Sequence, residues 1–222
     1  MTEPLTPAAG WTRRRIGGRR LLLVLLALLA LAAIPIVVST LWDRKKAPKQ
    51  LEVIGEVAPF SLVDERGLPF SEAAMRGKVT IVSFIFTRCD TICPVTAMKL
   101  ERIQEKTFDV GRDIKLVSFS VDPKYDTPEK LTEFGKRYRA DPERWRFVTG
   151  PYPDVYKVVE GSFMTSMMTL PDRPSGVPDI AHGGYFLLVD RELKIRGTYD
   201  SDQVHNLDDL MRDARYLART QR

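Results

Sequence analysis

Apolar residues fall along the chain in three patterns, and each predicts a different kind of element. The longest is a continuous run over Leu21–Leu41 with no charged residue; at about 1.5 Å per residue it can cross a hydrocarbon core of about 30 Å, which predicts a transmembrane helix. Short β-branched or alternating runs predict strands. These are Ala58–Asp64 and Leu68–Ser71 as a hairpin about Glu65-Arg66-Gly67, the stretch from Lys78 that leads into Cys89, Ile114–Val121, Trp145–Gly150, and a second hairpin of Tyr185–Asp190 with Lys194–Tyr199. Helical spacing with charges between the apolar positions predicts helices over Val95–Phe108, about Thr127–Tyr138, Tyr152–Glu160 and about Val204–Ala218. Thr127-Pro128-Glu129 opens its helix with a cap residue, a proline at the first position and an acid in the first turn. Gly161–Ala181 is rich in Pro, Ser and Met without sustained periodicity, and reads as a long loop of the kind that carries function or disorder.

The resulting order is hairpin, β, α, β, α, β, α, β-hairpin, α. A β-α-β start closed by an antiparallel hairpin and a final helix is an α/β arrangement of the thioredoxin-like type, here with an N-terminal β-hairpin extension and a single N-terminal transmembrane helix. The expected organisation is a short tail over residues 1–20, an anchor over 21–42, a polar linker over 43–55 and the domain over 56–222. With 44% hydrophobic and 28% charged residues, that domain can bury a core without disulfide staples.

Charge is unevenly placed. Residues 1–46 carry a net +6, leaving −1 for the remainder, so the overall +5 belongs to the flanks of the apolar run and not to a nucleic-acid-binding surface. A cleaved signal peptide is the competing reading of that run, with Ala30-Leu31-Ala32 as a small-residue cleavage site. Its length and the interfacial Trp42 favour an uncleaved anchor. Arginines precede the run and Arg44, Lys45, Lys46 and Lys49 follow it, so the positive-inside rule favours a cytoplasmic N-terminus only slightly. A short tail before the run and a large domain after it match a signal-anchor, which places the domain outside the cytoplasm.

Cys89 and Cys93 are the chain's two cysteines, and Pro94 follows them at a position suited to a first helical turn. A strand that delivers two thiols to a helix N-terminus favours thiolate, which predicts redox chemistry or soft-metal binding. Two small buried residues at a strand end is the plainer alternative. Three residues, Asp90, Thr91 and Ile92, intervene, and this spacing does not exclude a disulfide. His182, just before a predicted strand, would complete a two-sulfur, one-nitrogen set suited to Cu(I) and tolerant of Cu(II), whereas zinc would want a fourth ligand. A lone histidine is more often a structural or surface residue. Met164, Met167 and Met168 read first as gap-fillers, His205 as a solvated residue at the start of the last helix, and Asp122 in Asp122-Pro123 as turn chemistry or a site residue.

The segments FIFTRCDTICPVTAMKL, VSFSVDPKYDTPEKLTEF, WRFVTG and AHGGYFLLVD resemble the SCO/SenC family over about residues 50–220. The resemblance implies a membrane-anchored thioredoxin-fold protein that binds copper through Cys89, Cys93 and His182, with Asp122 associated with the site. It further implies assistance to the CuA centre of cytochrome c oxidase, with a CuA-bearing oxidase subunit as partner and the domain on the periplasmic or intermembrane-space side. The alternative within the same resemblance is an extracytoplasmic thiol–disulfide oxidoreductase, Cys89 attacking and Cys93 resolving. Such a protein is a metallochaperone more than an enzyme, though exchange with partner thiols is open to it. Two departures stand out: Asp90-Thr91-Ile92 where the family often has Pro-Asp-Val, and Ala181-His182-Gly183 where it often has Asp-His-Ser.

Overall fold

A computed structural model of the chain describes residues 51–164, 168–170, 179–181 and 184–221, with scattered helical residues between 22 and 34. The chain divides into two units, Met1–Ala47 and Pro48–Arg222. Most of the expected anchor Leu21–Leu41 lies outside the described residues, as do residues 43–50 of the expected linker. Among the described residues no helix is long and apolar enough to cross a membrane.

In the second unit the elements are β1 (Gly55–Glu56), β2 (Ser61–Asp64), β3 (Pro69–Ser71), β4 (Val79–Ile85), α1 (Ile92–Lys106), β5 (Ile114–Ser120), α2 (Pro128–Arg137), β6 (Trp145–Thr149), α3 (Tyr152–Gly161), β7 (Met168–Leu170), β8 (Asp179–Ala181), β9 (Tyr185–Val189), β10 (Lys194–Asp200) and α4 (Val204–Thr220). All but β7 and β8 of the strands join one mixed sheet in the order β1-β10-β9-β4-β5-β6-β2-β3. Its centre is parallel: Ser83 pairs with Ser118 and Phe84 with Phe119 between β4 and β5, and Phe119 pairs with Val148 of β6. Every residue of β4 is buried, which is why its sequence reads as a nearly continuous apolar run and not as an alternation.

The alternate residues of β4 and β5 build the two sides of the core. On one side Ser83, Ser118 and Trp145 form a buried hydrogen-bonded chain, with 2.8 Å between the hydroxyls and 2.9 Å from Trp145 Nε1 to Ser118 Oγ. On the other, the Phe84 and Phe119 rings meet Phe163 at centroid distances of 5.8 and 5.3 Å. Helix α2 packs on β6 through Phe134 against Phe147, and α4 packs on β4, β5, β10 and α1. Thr127 caps α2 by accepting from the Lys130 N–H, with Pro128 in the first turn, as its sequence predicts.

Three expectations are revised. Helix α1 begins at Ile92 instead of Val95 and so contains Cys93; its first residues, Ile92-Cys93-Pro94, have no charged residue between apolar ones and so lack the helical spacing that predicts the rest of the helix. Leu51 to Gly55, read as the end of a linker, belong to the domain: Ile54 N–H donates to Ile195 O at 2.9 Å and Arg196 donates to Leu51 O at 3.0 Å. The stretch read as one loop over Gly161–Ala181 contains β7 and β8, paired antiparallel with Thr169 opposite Ile180. Strands of three residues are too short to show an alternating pattern.

Candidate functional site

The parallel strand β4 ends at Ile85, and the next four residues carry the chain to Cys89 before α1 starts. Cys89 N–H donates to Phe86 O at 3.3 Å, closing a tight turn. Cys93 sits in the first turn of α1 and is fully buried, while Cys89 is 8% exposed. The two are unbridged. Ligand sites of open α/β sheets lie beyond the carboxyl ends of their parallel strands, and both sulfurs occupy that position.

The sulfurs have unequal surroundings. Cys89 Sγ accepts the Cys93 backbone N–H at 3.4 Å and stands 3.6 Å from Thr91 Oγ1. The Cys93 side chain also donates to it, and these donors at the helix start pull the Cys89 thiol down to about 5 against the opposing effect of burial. Cys93 moves the opposite way. Its bond to the Cys89 sulfur, burial and the nearby negative charge of Cys89 all hold its proton, with Phe86 N–H, 3.4 Å from Cys93 Sγ, as a partial counterweight. The resting pair is therefore one thiolate and one thiol sharing a proton, a state suited either to attack on a disulfide or to closing on a soft cation.

A second layer fastens this turn to the loop after β5. Arg88 Nε donates to Asp122 Oδ2 at 2.6 Å, and the guanidinium lies 4.6 Å from the centre of the Tyr125 ring. The Asp122 carbonyl accepts from the Tyr125 and Asp126 N–H groups in a turn, and its carboxylate pairs with Arg88, the residue next to Cys89. Sequence reasoning missed Asp126. Its carboxylate is 1% exposed and accepts from Thr87 N–H, Thr87 Oγ1 and Ser120 Oγ. Burial pushes this carboxyl above its ordinary range despite those donors, with Asp122 adding to the shift. An aspartate two places before a capping proline segment carries no signal that separates this role from turn chemistry.

His182, the third expected ligand, lies outside the described residues, as does Met167. Gly184, two residues on, is described. A Cβ placed there would stand 3.0 Å from Ile92 Cδ1, so this point of the chain abuts the residue before Cys93. His205 is exposed on α4, Met164 is 70% exposed and Met168 lies in β7. Among the described residues no three His, Cys, Asp or Glu side chains group to hold a metal, so the structure brings together Cys89 and Cys93 and supplies no third ligand from those residues. The donor chemistry present, two adjacent sulfurs of which Cys89 is shifted toward thiolate by its hydrogen-bond donors, fits a soft cation such as Cu(I).

The SCO1/SenC family model matches residues 48–218. The SCO1 protein homolog of Bacillus subtilis (strain 168) is 31% identical over 160 residues, spanning 72% of this chain and 81% of that protein. Among solved structures, BsSco, a member of the Sco family of cytochrome c oxidase assembly proteins in which a disulfide switch was identified, superposes with a TM-score of 0.64 at 28% identity, covering 76% of this chain and 97% of that one. Arabidopsis thaliana ScoI with copper bound superposes with a TM-score of 0.61 at 28% identity, covering 73% of this chain and 99% of that one. A family match over most of the chain, a mixed α/β sheet of the same kind and a dithiol at the start of the first domain helix agree: the chain belongs to the SCO1/SenC family.

Proposed function

We propose that this chain is a membrane-tethered copper-binding assembly factor, with Leu21–Leu41 as its anchor and its domain on the extracytoplasmic side, that serves the CuA centre of cytochrome c oxidase. Copper is cargo in this reading, held by Cys89, Cys93 and His182 and passed to an oxidase subunit by ligand exchange. The observation that carries it is the pair of sulfurs at the N-terminus of α1, where Cys89 Sγ accepts the Cys93 N–H at 3.4 Å and the donors from Cys93 and Thr91 lower the Cys89 thiol. The copper-bound Arabidopsis relative supports the choice of metal. Chain connectivity supports the third ligand, because two residues span at most about 7 Å and a Cβ placed on Gly184 would stand 3.0 Å from Ile92 Cδ1. Anaerobic titration of the reduced protein with Cu(I), in competition with a chelator of known affinity, tests it. His182→Ala should weaken binding by at least about tenfold, in the range for loss of a group that holds a metal site together; unchanged affinity would remove His182 from the ligand set.

The low-lying thiol of Cys89 also favours a second reading, thiol–disulfide exchange. Here the Cys89 thiolate attacks one sulfur of a partner disulfide and the other sulfur leaves as a thiolate. Cys93 then gives up its proton and attacks Cys89, leaving the Cys89–Cys93 disulfide and a partner carrying two thiols. The disulfide switch of BsSco supports keeping both activities in one protein. His182→Ala separates them, since it should leave dithiol oxidation intact.

A further inference from the structure

Between β4 and α1 the backbone makes one short turn, and its peptide groups face the sulfurs. Phe86 N–H points at Cys93 Sγ, Phe86 O receives Cys89 N–H, and the next amide, Thr87 N–H, points the other way, between the two carboxylate oxygens of Asp126 at 3.2 Å from each. Thr87 Oγ1 donates to the same carboxylate at 2.6 Å, and Ser120 Oγ does so from the end of β5, also at 2.6 Å. Asp126 is itself fixed, its N–H donating to Asp122 O at 2.9 Å, directly before the Thr127 cap of α2. The carboxylate therefore ties the turn bearing Cys89 to two rigid elements.

From this geometry we propose that Asp126 is a positioning residue for the dithiol, its buried carboxylate holding Thr87 so that Phe86 N–H faces Cys93 Sγ and Cys89 faces the start of α1. The inference rests on Cys89 and Cys93 being the working pair. The neighbouring Arg88–Asp122 contact is less able to do this, because the Arg88 side chain is 29% exposed and water competes for it. At Asp126, 1% exposed, no water can replace a lost acceptor. Removing the carboxylate orphans Thr87 N–H, and rotation of that peptide to find a new acceptor turns the adjoining Phe86 peptide away from Cys93. Groups that orient metal ligands without touching the metal are known to matter in this way.

The test uses the full chain in detergent, as Asp126→Ala, Asp126→Asn and Thr87→Val, with two readouts: Cu(I) affinity by chelator competition, and the midpoint potential of the Cys89/Cys93 couple in glutathione buffers. Circular dichroism reports folding. Asp126→Ala should lose about 10–100-fold in Cu(I) affinity. It should also change the dithiol–disulfide equilibrium by at least about tenfold, or about 30 mV for two electrons. Asp126→Asn, which keeps one acceptor for Thr87, should recover part of both. A folded Asp126→Ala protein with both readouts within about twofold of the parent overturns the proposal, as does a fall in melting temperature alone. If Asp126→Ala does not fold, Thr87→Val decides: a change of about threefold or more in both readouts supports the role, and none refutes it. If the parent chain binds no Cu(I), the copper reading fails while the potential still tests Asp126.

Discussion

Replacing Cys93 by alanine should return Cys89 to the behaviour of an ordinary thiol. The largest influence lowering Cys89 is the Cys93 side chain, ahead of the backbone N–H groups of Cys93 and Thr91. At pH 6 a thiol that titrates near 5 is about 90% thiolate, and one at the usual value of about 8.5 is about 0.3% thiolate. Rate alone is a poor reporter, because nucleophilicity falls as the thiol becomes more acidic; with a Brønsted slope of about 0.45, a shift of about 3.5 units costs about 40-fold per thiolate and consumes most of the gain. The pH midpoint is free of this cancellation. Alkylation of the reduced, metal-free protein with iodoacetamide, followed by mass spectrometry of the Cys89 peptide, should give a half-maximal rate near pH 5, with Cys93 protected until the protein unfolds. In Cys93→Ala the midpoint should move up by at least two units, the backbone donors alone remaining. A parent midpoint above about pH 8, or a Cys93→Ala midpoint still near 5, would refute the shared-proton geometry. The stability of the reduced protein follows the same signs. Cys89, lower in the folded state, adds stability that grows as pH rises from about 5 to about 8.5. Cys93, raised in the folded state, withdraws stability above about 8.5, so the pair contributes most near that pH.

Two substitutions test the frame that holds the site. Ser118→Ala removes the acceptor of Trp145 Nε1–H and the partner of the Ser83 hydroxyl, both fully buried, and should cost about 2 kcal/mol. Thermal unfolding should show a fall of about 4–8 °C for a domain of this size, and an unchanged melting temperature would contradict the buried chain. Gly135→Ala gains helix propensity of about 1 kcal/mol but sets a Cβ 2.8 Å from Phe147 Cε2, a ring stacked on Trp145 and unable to withdraw freely. Overpacking of about 1–3 kcal/mol should win, so the melting temperature should drop; a rise would mean the ring yields.

Much of the sheet was legible because its strands are bounded by abrupt changes in polarity. Ile114–Ser120 and Trp145–Thr149 each fall within one residue of expectation, and the first hairpin pairs Leu62 with Phe70 about the predicted turn. What escaped were features without a local pattern. β1 exists because Gly55 meets Ile195, a partner 140 positions away, and nothing near residue 55 announces it. The site was half legible in the same sense. Two cysteines at a strand–helix junction advertise themselves by residue type, whereas Thr87, Ser120 and Asp126 are common polar residues whose meaning comes from convergence across β4, β5 and the start of α2.

Three residues separate the cysteines, one more than in a Cys-x-x-Cys pair, and this spacing has a physical use in the structure. A helix start leaves its first N–H groups without partners, and a Ser, Thr, Asp or Asn side chain at the cap position usually accepts one of them. Thr91 occupies the cap of α1 and makes no such bond. The Cys93 N–H, second in the helix, is instead accepted by Cys89 Sγ four residues back. Sulfur thus serves as the cap, and the unmet donor of the helix becomes the stabiliser of a thiolate. The same spacing places Cys93 inside the first turn, where it is buried and faces Phe86 N–H, so the two thiols cannot be equivalent. One reacts or binds first and the other follows after giving up its proton, an order that serves disulfide exchange and stepwise capture or release of copper alike.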